Sequence, residues 1–173
     1  MTTIATLGID IGKRSFHVIG RDKHEKQVKK ARFSRSKLIE FIANLSPCLI
    51  AMEGCAGAHW LGRKCKEYGH DVKLIPAQFV KPYVKSNKND FIDADAICEA
   101  VGRPQMRFIT LKTEQQQIIS AWCRVRESYV VEKTAVSNKI HAFFLEFGIA
   151  RSKGKKSLSE IPLTLSVSRW RIN

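Results

Sequence analysis

Asp90 and Asp93 stand three residues apart at the start of an apolar stretch, behind the polar run Asn87-Lys88-Asn89. On a helix, residues three apart share a face, with Cβ atoms about 5–6 Å apart. One acid at a helix start is ordinary capping and dipole chemistry. Two, with Lys81, Lys85 and Lys88 just upstream, suggest a divalent cation and a phosphate. Two further acids, Asp10 and Glu53, each end an apolar, strand-like run, Ile4–Ile11 and Cys48–Met52. In open sheets ligands gather at such strand ends. Four carboxylates brought together would suit phosphodiester chemistry, in which two Mg²⁺ ions about 3.5–4 Å apart stabilise the attacking and leaving oxygens. Mg²⁺ takes oxygen ligands and keeps some waters, so three or four carboxylates suffice; Mn²⁺ is the natural substitute. Asp95 and Glu99, on the same stretch, are expected to face solvent. Lys13, Lys81, Lys85 and Lys88 are the candidate phosphate contacts.

The elements that must position these acids read as follows. Strands are expected at 4–11, 15–19, 27–33, 48–53 and 71–75, the third Lys-rich as suits a sheet edge. Helices are expected from Ser34 or Ser36 to Pro47, at 58–68 and at 90–101. A three-stranded meander followed by alternating helix and strand predicts a mixed five-stranded α/β sheet with helices on both faces. Parallel inner strands would explain why Ile4–Ile11 and Cys48–Met52 are apolar on both sides. Beyond Pro104, Thr113 can cap a helix running to about Phe147. Its Ile118, Trp122, Val125, Tyr129, Val136, Ile140, Phe143 and Phe147 form a heptad-like seam. About 30 helical residues span about 45 Å. Such a helix is expected to project and pair with a second copy or another domain; the alternative is a hairpin broken at Ser137-Asn138. The expected organisation is a domain at 1–105, a linker helix at 106–149 and a basic, unpatterned tail at 150–173, with a short strand at 163–167.

Composition narrows the partners. A net charge of +14 over 173 residues and a pI near 9.8 argue for a polyanion, nucleic acid first. Phe79, Tyr83 and Phe91 interleave with Lys81, Lys85 and Lys88, as in grooves that combine base stacking with charge. The same pattern also serves a loop whose aromatics pack inward. No secretory signal or membrane-length apolar run is evident, and five scattered cysteines fit a reducing cytosol. Cytoplasm, near the nucleoid, is the expected location. Cys55, His59, Cys65 and His70 make a poor zinc set without a Cys-x-x-Cys pair; buried cysteines and solvent-facing histidines are the simpler expectation.

Gly8-Ile9-Asp10-Ile11-Gly12-Lys13, Met52-Glu53-Gly54 and Lys88-Asn89-Asp90-Phe91-Ile92-Asp93-Ala94 together resemble the N-terminal half of DEDD transposases of insertion-sequence family 110, with its 1111 subgroup. Glu114-Gln115-Gln116 and Arg124-Val125-Arg126-Glu127 resemble that family's linker. The resemblance covers about residues 3–149. It implies a RuvC-like, ribonuclease-H-type domain in which Asp10, Glu53, Asp90 and Asp93 are the acids that bind Mg²⁺. It implies site-specific DNA recombination directed by a structured guide RNA, in a multimeric complex. The family's nucleophile is a serine in a separate C-terminal domain. The tail's Ser157, Ser159, Ser166 and Ser168 do not match it, so a truncated or frameshifted copy, inactive for full transposition, is expected. Competing readings are a stand-alone RuvC-type nuclease, a non-catalytic nucleic-acid-binding remnant, and an actin-like phosphotransferase suggested by Gly8-x-Asp10-x-Gly12.

Overall fold

The computed structural model describes residues 3–84 and 89–150. The chain forms two compact units that divide between Gln115 and Gln116. The first unit is built on a five-stranded mixed sheet: β1 (Thr6–Ile11), β2 (Phe16–Arg21), β3 (Gln27–Phe33), β4 (Leu49–Glu53) and β5 (Asp71–Ile75). The spatial order is β3-β2-β1-β4-β5. β1 pairs antiparallel with β2 and parallel with β4; β2–β3 is antiparallel and β4–β5 parallel. That order and those directions are the ribonuclease-H-like topology the sequence pointed to.

Side chains alternate across β1, and the two faces pack differently. Leu7 and Ile9 join Phe16, Val18, Ile50 and Met52 in a core with α1 (Arg35–Ala43) and α2 (Ala58–Glu67). Gly8 and Asp10 face the other way, toward α4 (Asp90–Val101), which follows the short α3 (Ala77–Val80) and a 3₁₀ turn at Lys81–Tyr83. α4 buries a broad arc. Ala94 and Cys98 meet Ile19 of β2, while Ala96, Ile97, Ala100 and Val101 meet Ala51 and Ile75. Burying all these side chains, at roughly 25 cal/mol per Å² of apolar surface, is what fixes α4 on the sheet. The chain then returns along the sheet edge, where Ile109 N–H donates to Leu74 O at 2.8 Å.

The second unit begins within α5 (Glu114–Glu146), which runs 33 residues without a break at Ser137-Asn138, so no hairpin forms. None of its residues is buried, and Ile118, Trp122, Val125, Tyr129 and Phe143 are exposed. No helix among the described residues is long and apolar enough to cross a membrane. The expected strand at 163–167 and the tail's serines lie outside the described residues.

Candidate metal and nucleic-acid site

Asp10 is the next-to-last residue of the central strand. Glu53 ends β4, which runs parallel to β1 with Gly8 beside Ala51 and Ile9 beside Met52. Parallel strands bring their C-terminal ends to one edge, so both acids arrive there, and both alternate onto the face that carries α4. β2 adds a residue that no motif had suggested. Its register places His17 directly opposite Asp10, and directly opposite residues in an antiparallel pair share a face.

The first turn of α4 closes the group. Asn89 is its cap, with its side-chain oxygen accepting the Phe91 N–H at 3.1 Å. Neither Asp90 nor Asp93 is therefore needed for capping. Close approach of helix to strand depends on Gly8. A Cβ at that position would meet the carbonyl oxygen of Ala94, and would come within 2.6 Å of Cys98 Sγ. The absence of a side chain lets α4 lie on β1, one helical turn from Asp90.

The resulting geometry is tight. His17 Nδ1 is 3.4 Å from Asp90 Oδ2 and 3.8 Å from Asp10 Oδ2. One donor atom from each of these residues lies within 4.8 Å of the others. Burial, followed by the negative charges of Asp93 and Asp90, pushes the Asp10 carboxyl from its usual 3.8 up to about 6. His17 opposes that shift and Glu53 adds to it. The other three sequence-derived acids thus all bear on the Asp10 carboxyl.

The donor set fits a divalent cation. Carboxylate oxygens dominate, as a hard ion requires. His17 is buried, yet its Nδ1 has no hydrogen-bond partner among the described residues, which is costly unless something occupies the space between. The imidazole is wedged edge-on against Phe91, with ring centroids 4.8 Å apart, so it cannot swing away freely.

Several expectations need correction. Asp95 is not simply solvated: it is half-buried, and Arg21 Nη2 donates to its Oδ1 at 2.6 Å. Glu99 pairs with Arg103, also at 2.6 Å. The aromatics expected near nucleic acid pack inward instead. Phe79 and Tyr83 lie against the α4–β5 core, and Phe91 joins the Ile19 cluster with Lys30 Nζ 4.7 Å above its ring. In the rejected zinc set Cys65 is buried as expected but Cys55 is exposed, and the histidines are half-buried or buried rather than solvent-facing. His70 is buried, with Nε2 3.0 Å from Ile42 O and Nδ1 accepting from Cys48 N–H; His59 Nδ1 accepts from Lys112 N–H. Lys13 and Lys81 are exposed, whereas Lys85 and Lys88 lie outside the described residues.

The strand order and directions define a ribonuclease-H-like fold, with carboxylates gathered at the end of its central strand. The chain belongs to the IS110 family of DEDD transposases, whose sequence profile, described as "Transposase", matches residues 7–149. It is 51% identical over 165 residues to the transposase for insertion sequence element IS1328 of Yersinia enterocolitica, covering 94% of this chain and 49% of that one. The transposase for insertion sequence element IS1111A of Coxiella burnetii is 40% identical, with 96% and 46% covered. A probable family 20 transposase of Pseudomonas aeruginosa is 43% identical, with 88% and 45% covered. The chain spans about half the length of the curated relatives it matches. Among solved structures, Thermus RuvC ("T. thermophilus RuvC in complex with Holliday junction substrate") aligns at 12% identity and a TM-score of 0.46, covering 61% of this chain and 99% of that one. The strand order, rather than that likeness, defines the fold here.

Proposed function

We propose that this chain supplies the metal-binding half of a DNA transposase active site, with Asp10, Glu53, Asp90 and Asp93 as carboxylate ligands and the serine nucleophile coming from a separate domain. The observation that carries this reading is the convergence of Asp10, His17 and Asp90, with one ligand atom of each within 4.8 Å of the others; the upward push on the Asp10 carboxyl from burial and the neighbouring acids agrees with it. Carboxylates held this close are tolerable only when protonated or when a cation lies between them. Mg²⁺, with Mn²⁺ as a substitute, would stabilise the attacking and leaving oxygens of an in-line phosphoryl displacement.

The chain's own residues do the positioning. Gly8 sets the approach of α4, Asn89 frees the two helix acids from capping, and His17 Nδ1 sits between Asp10 and Asp90. A cation binding there would favour the ionised Asp10 carboxylate and so compete with its protonation. Family resemblance adds a structured guide RNA that selects the DNA sites, and a cytoplasmic, nucleoid-associated setting. The exposed apolar seam of α5 supports a homo-oligomer through that helix. In functional terms we assign residues 1–105 to the catalytic domain, 106–149 to the linker and 150–173 to a basic tail. The test is a segment swap. Residues 3–149 replace the matching segment of an intact relative, and excision of a marked element is scored in cells. The unaltered chimera should excise; Asp10→Asn, Glu53→Gln, Asp90→Asn and Asp93→Asn should each lower excision by at least about 100-fold, an effect of about 2.7 kcal/mol on the barrier. Near-normal excision by the Asp10 or Asp90 variant would refute the assignment.

A further inference from the structure

Beside the acids, the β1–β2 turn, the end of β3 and the first turn of α1 enclose an open cavity of about 340 Å³, lined by Arg14, Ser15, Arg32, Phe33, Ser34 and Lys37. Three of the six are cations and none is an acid. Among the described residues, none of the three cations is ion-paired. Arg35, their neighbour, is engaged otherwise, with its guanidinium 5.0 Å from the Trp60 ring and 5.5 Å from that of Phe16. Ser34 stands at the N-cap of α1 but its hydroxyl makes no cap bond. It is paired instead with the Ser36 hydroxyl, 3.3 Å away, so the first N–H groups of the helix are left to other partners. Converging like charges with no counter-charge are unfavourable until an anion arrives.

The position says which anion. Arg32 pairs across the sheet with His17, and Arg14 and Ser15 lie in the turn that follows Asp10 and Ile11. Arg14 and Arg32 are thus next to the acid site in chain and in register, as neighbouring phosphates of one strand are next to each other. The space is at the small end of ligand clefts, adequate for a phosphate with its sugar. We propose that Arg14, Arg32 and Lys37 seat a backbone phosphate of the DNA strand whose neighbouring phosphate lies at the acid site. This assignment rests on the nucleic-acid reading above and extends it to a specific non-catalytic contact.

The experiment measures binding of a fluorescein-labelled DNA duplex, and separately of a labelled RNA hairpin, to the full chain by anisotropy over a salt series. Arg14→Gln/Arg32→Gln is compared with a charge-matched control, Lys23→Gln/Lys66→Gln, on exposed positions away from the cavity. The cavity variant should bind DNA about tenfold more weakly, and its log K against log salt slope should be shallower by about 0.9, the value for one lost phosphate contact. Arg14→Lys/Arg32→Lys should restore most of the slope. A cavity variant indistinguishable from the control, while the unaltered chain binds DNA with a steep slope, overturns the cavity alone. A loss confined to the RNA hairpin overturns the DNA assignment. No salt-dependent DNA binding by the unaltered chain overturns the nucleic-acid reading, and the cavity with it.

Discussion

Gly8 in β1 lies directly under the Ala94 carbonyl of α4, so the spacing between strand and helix has no room for a methyl group. Gly8→Ala should therefore cost about 1–3 kcal/mol, the usual range for overpacking, and weaken divalent-cation binding by moving α4 and its acids away from Asp10. Gly102→Ala is the control. Its added Cβ would meet only Glu99 O, at 3.8 Å, with φ at −77°. It should leave both stability and cation binding within about 0.5 kcal/mol. Denaturant melts and calorimetric titration distinguish the two.

The Asp10 carboxyl gives the metal-free protein a particular pH dependence. Its folded value of about 6 lies above the ordinary 3.8, so between these values the folded state binds more protons than the unfolded one. The associated stability is fully present below pH 3.8 and is lost as pH rises through 6. A loss of about 2 kcal/mol is expected across that window in chelator-treated protein, below the roughly 3 kcal/mol of a fully buried group because solvent screens this partly exposed one. Asp10→Asn should flatten this part of the curve, and a millimolar divalent cation should restore stability at pH 7. Urea melts at several pH values provide the measurement.

His17 contributes the one nitrogen donor among oxygens. Imidazole suits transition metals better than Mg²⁺. His17→Ala should therefore reduce affinity for Mn²⁺ by a larger factor than for Mg²⁺, whereas Asp90→Asn should reduce both alike. Paired titrations with the two ions decide the matter; equal losses for His17→Ala would mean that the ring only fills space.

Arg21 and Asp95 form a partly buried pair, their side chains 15% and 33% exposed. Removing the arginine leaves a half-buried carboxylate beneath α4. Arg21→Ala should cost about 1–2 kcal/mol, below the figure for fully buried pairs because solvent screens this one. Arg103→Ala, at the more exposed Glu99 pair, should cost under about 0.5 kcal/mol. A double-mutant cycle with Asp95→Asn isolates the coupling.

What was legible in the sequence follows from what local pattern encodes. The boundaries of β3, β5 and α4 follow from alternation, proline and glycine, because those signals are local. The places of the acids in the fold were legible, because Asp10 and Glu53 end apolar runs and Asp90 and Asp93 share the first turn of a helix. His17 was not, although the hairpin holds a clue: counting back from the Gly12–Ser15 turn pairs Ile11 with Phe16 and Asp10 with His17. Register is a tertiary quantity, and nothing in the composition of β2 marks it. Asp95 was misread because one-face reasoning assumes a narrow buried stripe. α4 is buried over an arc wide enough to put Asp93 and Asp95 on its two margins, where Arg21 reaches the second. The inward packing of Phe79, Tyr83 and Phe91 was equally invisible, since aromatic-basic interleaving serves a core and a groove alike.

The most direct test is a crystal of the chain soaked in Mn²⁺, with data collected at a wavelength where manganese scatters anomalously. The expected result is an anomalous peak about 2.1–2.4 Å from carboxylate oxygens of both Asp10 and Asp90, lost in the Asp10→Asn crystal. A well-diffracting soaked crystal with no peak there, or with manganese bound only at unrelated surface acids, would contradict it.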